Sequence, residues 1–356
     1  MANQHSISRF FFGFAAFVIC VAGLKAAESL VVPFLLAIFI ATVAATPVFW
    51  LEHRKVPNGL AIFLVVAALL VALSGLGAVV AQSVGLFTEQ LPFYQDRLAG
   101  LTTQFTEMIS PLGLEMSADL ISQFDPGMAL SMVGTTLRGL GGVLSNSLLI
   151  LFTVIFILAE ASSFPNKLKN ILGNPDQDMP LFNRFAVNLN RYMAIKTTVS
   201  VMTGFIISVF LAILGVDFPI LWGLLAFLLN YVPTIGSIIA SVPPVLLALI
   251  QLGPFYALIT GAGFVVVNLV MGNVIEPRFM GRGLGLSTLV VFLSLIFWGW
   301  ILGPVGLLLS VPLTMTAKLA LEARDSTAWV GYLLGPAEAT PLSNNTQKND
   351  SVAEAN

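Results

Sequence analysis

The chain has 356 residues, of which 57% are apolar and only 10% charged, and its formal net charge is −2. A soluble domain carries about 25% charged residues, so a water-facing globule of this length is excluded: it would have too few polar side chains to cover so much hydrocarbon. The near-neutral balance also argues against a polyanionic partner, and no nucleic acid is expected.

Cys20 is the single cysteine, so an intramolecular disulfide or a cysteine–metal cluster cannot form. His5 and His53 lie far apart and flank apolar runs; His53 beside Arg54 and Lys55 reads as an interfacial anchor.

A membrane span needs ~20 mostly apolar residues. The first expected span is Arg9 to Lys25. It reads as an uncleaved span and not a signal peptide, because one basic residue precedes it and a second apolar run starts at once. Leu30 to Leu51 and Asn58 to Ala81 follow, closing a first unit over residues 1–81. Residues 82–142 mix Leu86, Phe87, Leu91, Phe93, Tyr94, Leu98 and Leu101 with Glu89, Asp96 and Arg97 at helical intervals. That pattern predicts an amphipathic extracytoplasmic insert, packing as a cap or gating.

A transport-core unit is expected over 143–335. It holds a span from Val143 to Glu160, a basic linker over 161–196, and a span from Thr197 to Gly215. An interrupted stretch, Ile220 to Leu252, comes next, then spans at Phe255 to Gly272, Leu286 to Leu302 and Pro304 to Leu321. The polar end, 336–356, reads as a disordered tail. Glu160 and Lys196 read as anchors at the inner face.

Lysine and arginine in short loops set orientation. Arg54 and Lys55, and the linker's Lys167, Lys169, Arg184, Arg191 and Lys196, read as cytoplasmic; the acidic insert reads as external. If Ile220 to Leu252 dips in and returns, Arg278, Arg282, Lys318 and Arg324 also fall inside. Its length agrees, being too short for two full spans of ~20 residues and a turn. The expected fold is all-α: a polytopic membrane helix bundle of about eight transmembrane spans plus a re-entrant broken-helix hairpin, with both termini cytoplasmic.

The break itself carries the candidate chemistry. In hydrocarbon every backbone N–H and C=O needs a partner, so a broken helix is tolerated only where protein or a wet cavity surrounds it. Pro233 cannot donate and disfavours helix at Val232. Gly236 permits a turn, and Asn230, Tyr231, Thr234 and Ser237 place polar groups around it. Such breaks form substrate and ion sites; the bland alternative is a proline-kinked helix. Pro243 and Pro244 suggest a second disruption nearby.

A second polar stretch holds Asn268 within an apolar run, then Glu276, Pro277 and Arg278. A carboxylate there could bind a cation or carry a proton, or form a surface pair with Arg278 or Arg282. Gly299 and Gly303 suggest close helix packing. No lysine follows a glycine, so there is no phosphate-binding loop, and no nucleophile elbow occurs. No cofactor is expected.

The order of these elements, with YVPTIGSIIASVPPVLLAL and GNVIEPRFMGRGLGLSTLVVFLSLIFWGWILGPVGLLLSVPL, resembles the autoinducer-2 exporter family of bacterial inner-membrane proteins. The resemblance covers roughly residues 10 to 322. Pro233 and Gly236 match the family's Pro-x-x-Gly break. Glu276 and Pro277 match its polar loop, and Gly303, Pro304, Gly306 and Pro312 its closing span. Many members carry His-Pro after the glycine-rich turn, where this chain has Ser287 and Thr288. The resemblance implies secondary transport without ATP, efflux of autoinducer-2 in some members and sodium/proton antiport in others, and homo-oligomers, with pentamers the expectation. The partners expected are the lipid bilayer and a small-molecule or ion substrate. Three readings follow: export of a small polar metabolite past Asn230 to Ser237, cation/proton antiport at Glu276, and a non-transporting membrane scaffold.

Overall fold

The computed structural model describes residues 2–109, 130–136, 147–161, 163–171, 175–233, 235–280, 285–322 and 327–336. Most of the expected tail, residues 110–129 and 137–142 of the insert, the start of the fourth expected span at 143–146, Thr234, Arg282 and Arg324 lie outside the described residues. Among the described residues every regular element is helical. In chain order these are α1 (Ala2–Ala26), α2 (Glu28–His53), α3 (Asn58–Ile109), α4 (Ser147–Ala161), α5 (Phe164–Ile171), α6 (Pro175–Leu214), α7 (Pro219–Leu229), α8 (Ile235–Leu252), α9 (Pro254–Val270), α10 (Glu276–Met280), α11 (Thr288–Glu322) and α12 (Ala328–Leu333). A π-helical turn, Met271–Ile275, joins α9 to α10.

Among the described residues six helices are long and apolar enough to cross a membrane, and shorter apolar helices accompany them. One of the six, α11, is folded on itself. Gly303 breaks it with φ 60° and ψ −146°. Trp298 Nε1 donates to Thr314 Oγ1 at 3.0 Å, although sixteen residues of straight helix would separate them by ~24 Å. The two arms, 288–302 and 304–322, are therefore antiparallel, as the sequence pattern predicts. Lys25 donates to the Trp300 carbonyl at 2.7 Å and lies over the Trp300 ring, so a carbonyl freed at this break finds a partner. The six lie in α2, α3, α6, α8, α9–α10 and α11; the shorter apolar helices are parts of α1 and α4, and α7.

On α2, Ala37, Ala41, Ala44 and Val48 are buried on one face against Ala61 and Val65 of α3 and Ile150, Val154 and Leu158 of α4. Small residues let these backbones approach, which is how membrane helices gain contact without a hydrophobic drive.

α3 is one continuous helix of 52 residues, ~78 Å long against a hydrocarbon slab of ~30 Å. The described amphipathic part of the insert is thus a prolongation of the third span. Val80, Val84, Phe87, Leu91, Tyr94 and Leu98 alternate at four- and three-residue steps and face the main core, the spacing of a coiled-coil seam. The linker from Pro175 onward likewise runs without interruption into the fifth span as α6.

α6 and α7 pack backbone to backbone. A Cβ on Gly204 would meet the Gly223 carbonyl at 2.6 Å, and one on Gly223 would run into Ser208. α7 therefore returns along α6 from the turn at Gly215, where Phe218 takes a left-handed φ of 59°. α8 then runs back: Gln251 at its end donates to the Gly215 carbonyl and accepts from the Asp217 amide, each at 3.1 Å. Both ends of the α7–α8 pair thus meet at one end of α6, so the pair is a helical hairpin; its first arm, at 11 residues, is too short to cross a membrane, whereas α8 is long and apolar enough to do so. The expected disruption at Pro243 and Pro244 is absent: α8 is helical through both. Both prolines are buried, and packed neighbours make such residues tolerable in membrane helices.

Candidate functional site

The sequence of α6 places Tyr192, Lys196, Ser200 and Thr203 on one helical face. All four are buried, Lys196 at 3% exposure and Ser200 at 0%. A polar stripe inside an apolar helix needs partners: the hairpin supplies one for Ser200, α10 one for Lys196, and Thr203 donates back to the Val199 carbonyl of its own helix.

At the hairpin tip, Asn230 Nδ2 donates to Ser200 Oγ at 2.9 Å, and Tyr231 Oη donates to Thr197 Oγ1 at 2.7 Å. The Tyr231 ring stands edge-on to Phe39 of α2 and to Phe227. The break is tight. The Val232 amide reaches the Leu229 carbonyl at 2.9 Å, and the Gly236 amide reaches Val232 at 3.2 Å. A side chain on Gly236 would collide with the Leu229 carbonyl, which explains glycine there. Pro233 is half-buried in the same turn.

Above the tip the two hairpin helices, α6 and α9 enclose a cavity lined by Thr203, Ile207, Ala226, Asn230, Ser237, Ala240, Phe264, Val267 and Asn268. Its volume open to the centres of water-sized molecules is about 10 Å³, room for roughly one water. Asn230 and Ser237, singled out from the interrupted stretch, and Asn268, from the second polar stretch, thus share one space. None of the lining side chains is charged.

Glu276 is placed by the π-helical turn, a local underwinding often found at functional positions. Lys196 Nζ lies 2.8 Å from both carboxylate oxygens of Glu276. The lysine side chain is 4% exposed and the carboxylate 19%. Among the described residues this pair stands in place of the surface pairing considered with Arg278, which is exposed two positions on; the pairing considered with Arg282 lies outside the described residues. Lys196 is a correction to the reading of an interfacial anchor. Its signal was the i, i+4 spacing with Tyr192 and Ser200, which marks a buried polar face and not a helix end. Glu160, by contrast, is exposed and pairs with exposed Lys167.

Ser287 also has a definite place. Its hydroxyl accepts from the Val290 amide at 3.2 Å, capping α11, and its own amide donates to the Leu334 carbonyl. Lys318 of the second α11 arm donates to the Gly285 carbonyl beside it.

A profile described as AI-2E family transporter matches residues 14–325. The chain belongs to the AI-2E family of transporters. It is 40% identical over 318 residues to the AI-2 transport protein TqsA of Escherichia coli K12, covering 89% of this chain and 92% of that one. It is 40% identical over 323 residues to the putative transport protein YhhT of the same organism, covering 90% and 93%. A putative transport protein of Haemophilus influenzae is 38% identical over 345 residues, covering 95% and 99%. In this AI-2E transporter the Pro-x-x-Gly element, Pro233 and Gly236, is the turn of the hairpin. Gly303, Pro304, Gly306 and Pro312 build the folded α11, where a side chain on Gly306 would meet the Trp298 carbonyl.

Proposed function

We propose that this chain is a secondary transporter that exports a small, uncharged polar metabolite, with autoinducer-2 as the first candidate, through the cavity between α6, the hairpin and α9. The observation that carries this is the convergence of Asn230, Ser237 and Asn268 on one space beside a broken helix. Amide and hydroxyl groups without charge suit a hydrogen-bonding neutral solute, and the name of TqsA supports the candidate. The cavity as it stands is too small for such a solute, so transport on this reading requires the hairpin to move against α6 or α9. The inner membrane, cytoplasmic termini and a homo-oligomer, five-fold by family resemblance, belong to the same proposal. The bilayer is its solvent. Efflux from proteoliposomes loaded with autoinducer-2 tests it: Asn230→Leu and Asn268→Leu should each lower the rate about tenfold. Full flux in both variants would reject the pathway.

A second reading, monovalent-cation/proton antiport, is favoured by one feature: Glu276 faces partly outward with the buried Lys196 behind it. A cation entering from the open side would displace the ammonium as the carboxylate's partner. Glu276→Gln should then abolish sodium-driven proton movement while leaving metabolite efflux in place; the opposite pattern would reject this reading and support the first.

A further inference from the structure

The seam between α6 and α9 extends beyond the cavity. Two contacts fix its register: Lys196 with Glu276, and Phe210 of α6 against Gly263 of α9. From Glu276 back toward Pro254, one face of α9 carries Asn268, Phe264 and Thr260, each a turn apart. Along α6 the facing order is Thr203, Ile207 and Leu211. Thr203 and Asn268 form a polar part of the cavity wall, and Ile207 and Phe264 form an apolar part. Ile207 is 1% exposed and Phe264 4%.

Thr260 lies one turn past Phe264. It is fully buried, and its hydroxyl has no hydrogen-bond partner among the described residues. Other helical threonines of this chain donate to the carbonyl four residues earlier, as Thr42, Thr153, Thr197 and Thr203 do. Thr260 departs from that habit. A buried hydroxyl left unpaired costs about 1–3 kcal/mol, and such a group ordinarily faces a water or a ligand.

We infer that the solute route continues past the cavity to a second hydrogen-bonding station at Thr260, and that Phe264 and Ile207 form the apolar constriction between the two stations. This rests on the cavity reading above. Narrow apolar constrictions exclude water until they widen, so the pair closes the path without a charge, and Thr260 meets the solute when the path opens. The ligand class is an uncharged hydrogen-bonding solute, since the cavity's lining residues carry no charge.

The test uses the full chain in proteoliposomes with Cys20→Ser, which removes the single native thiol. Asn268→Cys, Thr260→Cys and Leu258→Cys are each exposed to 2-aminoethyl methanethiosulfonate; Leu258 is 72% exposed on the outer surface of α9 and serves as the lipid-facing control. Asn268→Cys is expected to react and Leu258→Cys to stay unreactive. Thr260→Cys should react slowly, and adding Phe264→Ala should raise its rate about tenfold, the factor that ~1.4 kcal/mol gives. Phe264→Leu keeps apolar bulk and carries the same expectation at smaller size if the alanine variant does not assemble. An unchanged Thr260→Cys rate with a reactive Asn268→Cys overturns the second station and leaves the cavity standing. Two unreactive positions overturn the cavity itself, and a parallel rise at Leu258→Cys shows general loosening and overturns the constriction.

Discussion

Lys196 is 3% exposed, and among the described residues its ion-pair partner is Glu276. Removing one partner of a buried pair strands the other, at a cost of up to about 3–5 kcal/mol; water reaching one side of Glu276 lowers this. Glu276→Gln and Lys196→Met alone should each lower the melting temperature in detergent, and the double variant should recover most of the loss. A double variant as unstable as the sum of the singles would show that the two groups do not depend on each other. The same pair shows why residue-level reading was partial. Glu276 was legible as a carboxylate in a polar stretch, but its partner lies 80 positions away in sequence, a distance that no local pattern spans. Asn230 and Ser237 were legible because polar residues around a proline in a membrane run are costly without a reason.

At the scale of elements, breaks matter more than helices. Gly303 takes φ 60° and ψ −146°, a region open essentially to glycine alone, so Gly303→Ala should cost about 1–3 kcal/mol. Thermal unfolding measures it; an unchanged midpoint would mean that the fold of α11 does not rest on this residue. Gly236→Val should act by collision with the Leu229 carbonyl, at about 1–3 kcal/mol of overpacking, and should reduce efflux more than Gly303→Ala because it reshapes the hairpin tip. Equal effects on efflux would detach the tip from the pathway. Both breaks were readable from glycine and proline in apolar runs. The prolines at 243 and 244 misled because the same residues sit inside a continuous helix once neighbours surround them.

Across the whole molecule, the two ends of the hairpin region are held by different chemistry. At the tip end stand Lys196–Glu276 and Tyr231–Thr197. At the other end, Tyr94 of the prolonged α3 donates to Asp217 at 2.7 Å, and Trp222 Nε1 donates to the Asp217 carbonyl at 2.8 Å. Tyr94→Phe removes a hydrogen bond to a charged group, worth about 1.5–3 kcal/mol. It should speed amide exchange in α3 between residues 82 and 101 while leaving α2 and α4, which pack in a separate core, unchanged. Uniform acceleration across all three helices would mean that the tyrosine supports the entire bundle instead of this one junction.

The sequence by itself determined that the chain is a membrane bundle, where its apolar runs lie, and where they break, because lipid imposes those conditions on each segment separately. The tertiary structure decided what those segments share: that Asn268 comes to face Asn230 and Ser237, that Lys196 is a buried counter-ion, and that the insert begins as an extension of α3. Those are contacts between distant parts of the chain, and they depend on how helices cross and turn back, which the composition and period of any one helix leave open.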